Sequence, residues 1–211
     1  HALVKATEDA FGPVELFCAN AGVLVLGGVH APDEEWRRAF DINVMSHVYA
    51  ARAVLPGMVE RGEGYLLHTA SAAGLLTQLG AAPYSMSKHA AVSIAEWISI
   101  TYGDTGVKVS CLCPQAVRTE IAAFLGVPMG TPASQGGDVS YASSDGVLEP
   151  EDVARGVIQG LRDERFLLLP HAEVAEHAPR RARDRERRRR GRRRTQAPTG
   201  RRTLEKARRS G

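Results

Sequence analysis

The chain has 211 residues, of which 44% are hydrophobic and 24% are charged, so we expect one globular domain with a sizeable core. It contains no run of about 18 apolar residues, which argues against a membrane-spanning helix. No secretory signal follows His1, and an odd count of three cysteines favours a reducing compartment, so we expect a cytoplasmic location. A first residue other than Met suggests a fragment of a longer protein.

The overall charge of +3 conceals two oppositely charged regions. Residues 178–211 contain 16 Lys and Arg against three acidic residues, a net charge of +13. Residues 1–177 have a net charge of −10. We therefore treat residues 1–177 as the folded domain and residues 178–211 as an arginine-rich tail that lacks the apolar residues for a core and is expected to be disordered or loosely helical.

The predicted elements of the first half alternate in type. In chain order they are a helix over 2–11, a strand over 14–19, a long helix over 33–61 with bends near Asn43 and before Pro56, and a strand over 64–69. A loop of small residues, 72–83, then leads into a second long helix.

The predicted elements of the second half continue the alternation. They are the long helix over 84–102, a strand over 107–113, a loop or lid rich in Gly, Ser and Pro over 125–147, a helix beginning near 149–152, and a strand over 165–170. The strands are continuous apolar runs, which suits a parallel sheet covered on both faces, so the sequence predicts an α/β, doubly wound fold.

The segment Tyr84-Ser85-Met86-Ser87-Lys88 is the strongest chemical signal in the chain. A spacing of four places Tyr84 and Lys88 on the same face of a helix. A free tyrosine has a pKa of about 10, and a nearby ammonium favours its ionised form. The pair therefore predicts an acid/base tyrosine assisted by a lysine.

Other polar or small residues follow the predicted strands. Asn20-Ala21-Gly22 comes after the first strand, Ser71 after the second, and Pro114 with Thr119 after the third. Because the carboxyl ends of parallel strands meet at one sheet edge, where doubly wound proteins bind ligands, we expect these residues to line one crevice.

This ordered series resembles the motifs of the short-chain dehydrogenase/reductase family. The matching residues are Asn20-Ala21-Gly22, Asn43, Ser71, Tyr84-x-x-x-Lys88 and Pro114-x-x-Val117-x-Thr119. The resemblance spans about residues 1–177. It implies a Rossmann-type fold and an enzyme that interconverts alcohols and carbonyls by hydride transfer with NAD or NADP; the sequence does not choose between the two cofactors.

The resemblance also implies catalytic roles. Tyr84 is expected to be the general acid/base, and Lys88 to lower the pKa of Tyr84 and hold the nicotinamide ribose. Ser71 is expected to hold the substrate oxygen, and Asn43 to hold a water of the proton relay.

Further residues are expected to contact the cofactor or a partner. Asn20, Ala21 and Gly22 would lie against the cofactor, which Pro114 would also contact. Val117 and Thr119 would contact the nicotinamide carboxamide. In the family, the helices that correspond to 33–61 and 84–102 commonly form a subunit interface, which predicts a homo-oligomer.

Two departures from the family pattern affect these expectations. The family usually has Pro-Gly after the third strand, whereas this chain has Pro114-Gln115, so Gln115 is expected to contact the substrate or narrow the nicotinamide pocket. The glycine-rich turn that receives the pyrophosphate is not found in the sequence. We therefore expect the first βαβ units of the fold, about 70 residues, to be missing.

An alternative interpretation comes from the missing turn and the basic tail together. On that interpretation the chain is an inactive remnant, or a protein that binds nucleic acid non-specifically through residues 178–211. Isolated histidines without ligand spacing, and a single C-x-C pair at Cys111 and Cys113, predict no metal site; we interpret the cysteines as small apolar residues.

Overall fold

The computed structural model describes residues 1–121 and 146–183. Most of the predicted lid over 125–147 and most of the arginine-rich tail lie outside the described residues. In chain order the elements are α1 (Ala2–Phe11), β1 (Leu16–Ala19), α2 (Asp33–Phe40), a π-helical turn (Asp41–Met45), α3 (Ser46–Arg61), β2 (Gly64–Thr69), α4 (Ala73–Leu76), α5 (Ala82–Tyr102), a short 3₁₀ turn (Gly103–Thr105), β3 (Val107–Leu112), α6 (Pro150–Arg162), β4 (Leu167–Leu168) and α7 (Ala172–Arg183).

The four described strands form one parallel sheet in the order β1-β2-β3-β4. Phe17 pairs with Leu66, which in turn pairs with Val109, so consecutive strands of the chain are neighbours in the sheet. β1 lies at one edge of this described sheet. The alternation of helices with parallel strands confirms the predicted α/β fold of Rossmann type.

Helices cover both faces of the sheet. On one face, Met58 of α3 and Ile98 of α5 pack with Leu66 of β2 and Cys111 of β3 in one buried cluster. On the other face, Val153 of α6 packs with the strand residues Leu67, Leu112 and Leu168. Because helices lie on both faces, the sheet is doubly wound as the apolar strand pattern predicts.

The cysteines do not all behave as the sequence suggests. Cys111 and Cys113 are completely buried, with their Sγ atoms 3.8 Å apart, as expected for small apolar side chains. Cys18 is exposed instead, because alternate residues of a strand point to opposite faces and only Phe17 of this pair packs against the core.

Several predicted boundaries differ from the structure. The loop predicted over 72–83 contains the short helix α4 and the first residues of α5, and the strand predicted over 165–170 is limited to Leu167–Leu168. α7 crosses the predicted domain boundary after residue 177 because its alanines, glutamates and arginines are strong helix formers. The buried side chain of Val174 anchors its first turn.

The long helix predicted over 33–61 is interrupted where the sequence predicts a bend. Residues Asp41–Met45 form a π-helical turn between α2 and α3, and Asn43 is completely buried within it. The second bend, predicted before Pro56, does not interrupt the helix, because α3 continues through Pro56 to Arg61. Within the described residues, no helix combines the length and the apolar character needed to cross a bilayer.

Two buried histidines join α3 to β2. His47 Nδ1 and His68 Nδ1 are 2.8 Å apart, and both side chains are fully buried. One Nδ1 must donate and the other must accept, so the accepting ring is neutral, and complete burial disfavours a charge on either ring. Burial lowers the pKa of His47 to about 3, with the charges of His68 and Lys88 contributing, and burial lowers the pKa of His68 to about 4.

This pair predicts acid sensitivity of the fold. Unfolded histidines have a pKa of about 6.5, so below that pH the unfolded chain binds more protons than the folded chain. The free energy of unfolding should therefore be insensitive to these groups above about pH 7 and fall, by up to about 1.4 kcal/mol per pH unit for each histidine, as the pH decreases from about 6 to 4. Denaturant titrations across this range measure the slope.

A double variant, His47→Leu with His68→Val, should have a shallower slope, because both titrating groups are removed. The exposed His30 provides the matched control, and His30→Ala should keep the slope of the parent. Identical slopes in the parent and the double variant would contradict the assignment.

The close packing of α4 on α5 yields a second prediction. A Cβ added at Gly74 would lie 2.4 Å from the backbone oxygen of Lys88, so Gly74→Ala must displace one helix from the other. We expect a loss of about 1–3 kcal/mol in the free energy of unfolding, as for other overpacked sites. Gly156 in α6 has no heavy atom within 4 Å of its added Cβ, so Gly156→Ala should leave stability unchanged or raise it by up to about 1 kcal/mol. Equal unfolding midpoints for the two variants would refute this prediction.

Candidate active site

A cavity of about 910 Å³ opens at the carboxyl ends of the strands and extends along the sheet towards α6. Most of the predicted site residues line it: Asn20, Ser71, Tyr84, Lys88, Pro114, Gln115, Val117 and Thr119. Its remaining walls are largely aliphatic. The topology therefore brings residues from the ends of β1, β2 and β3 to one place, as the parallel order predicts.

Lys88 is the central buried cation of this site. Its side chain is only 3% exposed, and its Nζ donates a hydrogen bond to the backbone oxygen of Thr69 at 3.0 Å. Burial lowers the pKa of Lys88 to about 8. Because Thr69 is the last residue of β2, this bond attaches α5 to the strand end from which Ser71 follows.

Tyr84 lies one helical turn before Lys88 and is also buried. The Lys88 Nζ is 5.9 Å from the centre of the Tyr84 ring. Burial raises the pKa of Tyr84, and a hydrogen bond with the Ser71 hydroxyl opposes that increase. Removal of the phenol from water is the largest cause, so the direction of the pKa shift is opposite to the lowering that the resemblance implies for Lys88.

Ser71 is held between two backbone segments. Its Oγ accepts a hydrogen bond from the Ala73 N–H at 3.1 Å and lies 3.4 Å from the Pro114 oxygen. The Pro114 oxygen also accepts a bond from the Ala72 N–H at 2.8 Å. These contacts fix the Ser71 hydroxyl beside Tyr84, so two hydroxyl groups face one point of the cavity.

The side-chain amide of Asn43 joins the chain that follows β1 to α5. Its Oδ1 accepts a bond from the Val23 N–H at 2.8 Å, and its Nδ2 donates to the Val23 oxygen at 2.9 Å and to Ser87 Oγ at 3.0 Å. Both amide protons are thus engaged by the protein. Asn43 therefore holds the backbone after Gly22 against α5.

Gly22 occupies a position where a side chain would crowd the site. An added Cβ would lie 3.2 Å from Lys88 Nζ and 3.3 Å from Asn43 Oδ1. The neighbouring Asn20 lines the cavity, whereas Ala21 is exposed and does not. Of the predicted Asn20-Ala21-Gly22 segment, the first residue therefore faces the cavity and the third allows close approach to Lys88.

The segment after β3 is held by residues that have no recognisable motif in the sequence. The Gln115 N–H donates to Nδ1 of the buried His171 at 3.2 Å. The Arg118 N–H donates to the Leu148 oxygen at 2.9 Å, and its guanidinium pairs with Glu149 at 2.8 Å. Contacts between residues so distant in the chain have no local sequence signal. The exposed Thr119 bonds through Oγ1 to the Val117 oxygen at 3.3 Å.

The family model described as short chain dehydrogenase matches residues 1–127, more than half of the chain. The chain is 37% identical over 176 residues to a 1-deoxy-11-beta-hydroxypentalenate dehydrogenase of Streptomyces exfoliatus, covering 82% of this chain and 60% of that protein. It is 30% identical to 3beta-hydroxysteroid dehydrogenase 2 of Eggerthella lenta, covering 72% of this chain and 59% of that protein. The chain thus spans about 60% of the length of these relatives.

Solved structures agree with the sequence comparison. A short chain dehydrogenase/reductase from Burkholderia phymatum, in complex with NAD, superposes with a TM-score of 0.75 at 31% identity, covering 89% of this chain and 72% of that chain. The fold, the matched family model and the sequence identity to named dehydrogenases agree, and the chain belongs to the short-chain dehydrogenase/reductase family.

Proposed function

We propose that the protein containing this chain is an NAD(P)-dependent oxidoreductase that interconverts a secondary alcohol and its ketone. The observation that supports this most strongly is the group formed by Ser71, Tyr84 and Lys88, three buried polar side chains at one wall of the cavity. The relatives named for a hydroxypentalenate and for a hydroxysteroid favour a cyclic, largely apolar alcohol as the substrate class. The aliphatic lining of the cavity is compatible with such a substrate.

The described residues fit the nicotinamide end of the cofactor. Gly22 leaves open the space beside Lys88 Nζ and Asn43 Oδ1 that a Cβ would fill. The residues that would hold the cofactor are Asn20, Ala21, Gly22, Tyr84, Lys88, Pro114, Val117 and Thr119. When bound, NAD or NADP supplies or accepts the hydride, and the protein supplies position and a proton.

The chain's own residues account for the proton transfer. In the reducing direction, Tyr84 donates its phenolic proton to the carbonyl oxygen of the substrate, and in the oxidising direction it removes the proton of the hydroxyl. The Ser71 hydroxyl, fixed next to Tyr84, donates a hydrogen bond to the same oxygen and orients it. Lys88 provides the positive charge that stabilises the phenolate after proton transfer.

Gln115 is proposed to border the substrate. It lines the cavity, and its backbone N–H is held by His171. The amide of Gln115 offers both a donor and an acceptor, so it suits a second oxygen of the substrate.

We also propose that the protein is a homo-oligomer that uses α3 and α5, in a reducing, cytoplasmic compartment. Large apolar side chains on these two helices remain open to solvent: Tyr49 is 56% exposed, Met86 53%, Trp97 55% and Ile100 78%. Covering them against a second copy would remove apolar surface from water. Sedimentation equilibrium, which should give a mass above that of one chain, measures this.

The proposed activity predicts a specific defect in Tyr84→Phe. The substitution removes the proton donor and keeps the ring, so we expect a loss of about 10²–10⁴ in kcat for ketone reduction by the full-length protein. The measurement is NADH or NADPH oxidation in the presence of a panel of cyclic ketones.

Tyr49→Phe is the matched control, because Tyr49 is exposed on α3 and is not among the residues that line the cavity. It should keep the parent rate. Retention of more than about a tenth of the parent kcat by Tyr84→Phe would exclude Tyr84 as the general acid/base.

A further inference from the structure

The connection between α4 and α5, residues 77–81, forms part of the cavity wall. Thr77 and Gln78 of this connection, which we name the α4–α5 loop, line the same cavity as Ser71 and Tyr84. Both side chains are uncharged and able to form hydrogen bonds. The loop therefore contributes two residues with polar side chains to the cavity that the two proposed catalytic hydroxyls also line.

The side chain of Ser85 bonds to both backbone polar groups of Gln78 in this loop. The Gln78 N–H donates to Ser85 Oγ at 2.8 Å, and Ser85 Oγ donates to the Gln78 oxygen at 3.1 Å. Ser85 is only 4% exposed. Gln78 has no strand partner, so its backbone N–H and oxygen are both satisfied by the one buried hydroxyl of Ser85.

The other end of the loop is fixed by the segment around Gly27. The Gly27 N–H donates to the Gly80 oxygen at 2.7 Å, and the Ala82 N–H donates to the Gly27 oxygen at 2.8 Å. This forms an isolated parallel bridge between Gly27 and Ala81. The loop is thus held near its start by Ser85 of α5 and at its end by Gly27, in the chain that follows β1.

The backbone of the loop is strained where it enters the cavity wall. Thr77 has a φ of 65°, in a region that β-branched residues rarely adopt. Such a conformation persists only where the surrounding structure imposes it, and it is found mostly at binding sites. The Thr77 N–H donates to the Ala73 oxygen at 3.0 Å, and Ser85 bonds to the adjacent Gln78, so the backbone is held on both sides of this conformation.

We infer that Ser85 is a positioning residue that fixes the α4–α5 loop, so that Thr77 and Gln78 bind a neutral hydroxyl or carbonyl oxygen of the substrate distant from the reacting carbon. The inference rests on the proposed function and adds a determinant of specificity to it. Ser85 follows Tyr84 directly in α5, yet its hydroxyl bonds to the loop. Its loss should therefore weaken substrate binding and leave proton transfer intact.

The kinetic test uses Ser85→Ala in the full-length protein. For a cyclic ketone with a second oxygen, we expect KM to rise about tenfold while kcat stays within about threefold of the parent. The pH profile of kcat should be unchanged. For the matched ketone without the second oxygen, KM should change much less.

Two further variants control this test. Ser85→Thr keeps a hydroxyl at the same position and should restore most of the affinity. Ser93→Ala makes the same substitution at an exposed position of α5 and should behave as the parent. A kcat defect in Ser85→Ala as large as that of Tyr84→Phe, or an unchanged KM for both ketones, would overturn the inference.

Hydrogen exchange tests the clamp without any need for activity. In Ser85→Ala, the Gln78 amide should exchange faster, together with its neighbours in the α4–α5 loop, while β2 and the rest of α5 keep the protection of the parent. Unchanged exchange at residues 77–81 would overturn the inference. A parent protein that reduces no ketone would instead refute the proposed function, and the exchange result would still decide whether Ser85 holds the loop.

Discussion

The hydrogen bond from the buried Lys88 ammonium to the Thr69 oxygen is the interaction on which the site depends. A lysine that is 3% exposed must have a partner for its charge or its protons, and this one finds it at the end of β2. The bond fixes α5 in register with the sheet edge. Tyr84, one turn earlier on α5, and Ser71, two residues after Thr69, are consequently brought face to face.

Two glycines complete this arrangement, because they allow other backbone segments to lie close to Lys88. Gly22 lets the chain after β1 pass beside Lys88 Nζ, and Gly74 lets α4 rest on the backbone of α5 at Lys88 itself. Asn43 then attaches the chain near Gly22 to α5 through Ser87. Lys88 is therefore enclosed by three separate segments, which explains why its ammonium is buried and its pKa lowered.

Much of the fold and the centre of the site could be predicted from the sequence because their signals are local. The spacing of Tyr84 and Lys88 places them on one helix face, and continuous apolar runs such as 107–113 indicate covered parallel strands. The contacts from His171 to Gln115, from Ser85 to Gln78 and between His47 and His68 could not be predicted in this way. Each joins residues that meet only after the chain has folded, and serine and histidine in these positions resemble ordinary helix or strand residues.

The direction of the Tyr84 pKa shift could not be predicted from the sequence for the same reason. The sequence shows a lysine one turn away and predicts a lowered pKa, but it does not show how completely the phenol is removed from water. In the folded protein burial is the largest cause of the shift and raises the pKa of Tyr84. The direction of the shift thus depends on tertiary packing.

The π-helical turn at Asp41–Met45 restricts how this protein can change in length. A π turn contains one residue more than an α-helical turn, and each residue of an α-helix rotates the next by about 100°. Deletion of one residue from this turn would convert it into regular helix and displace Asn43 from the position where it bonds to Val23 and Ser87. Insertions and deletions are thus far less tolerable here than in the exposed connection around residues 28–30, although both segments lie on the path from β1 to α3.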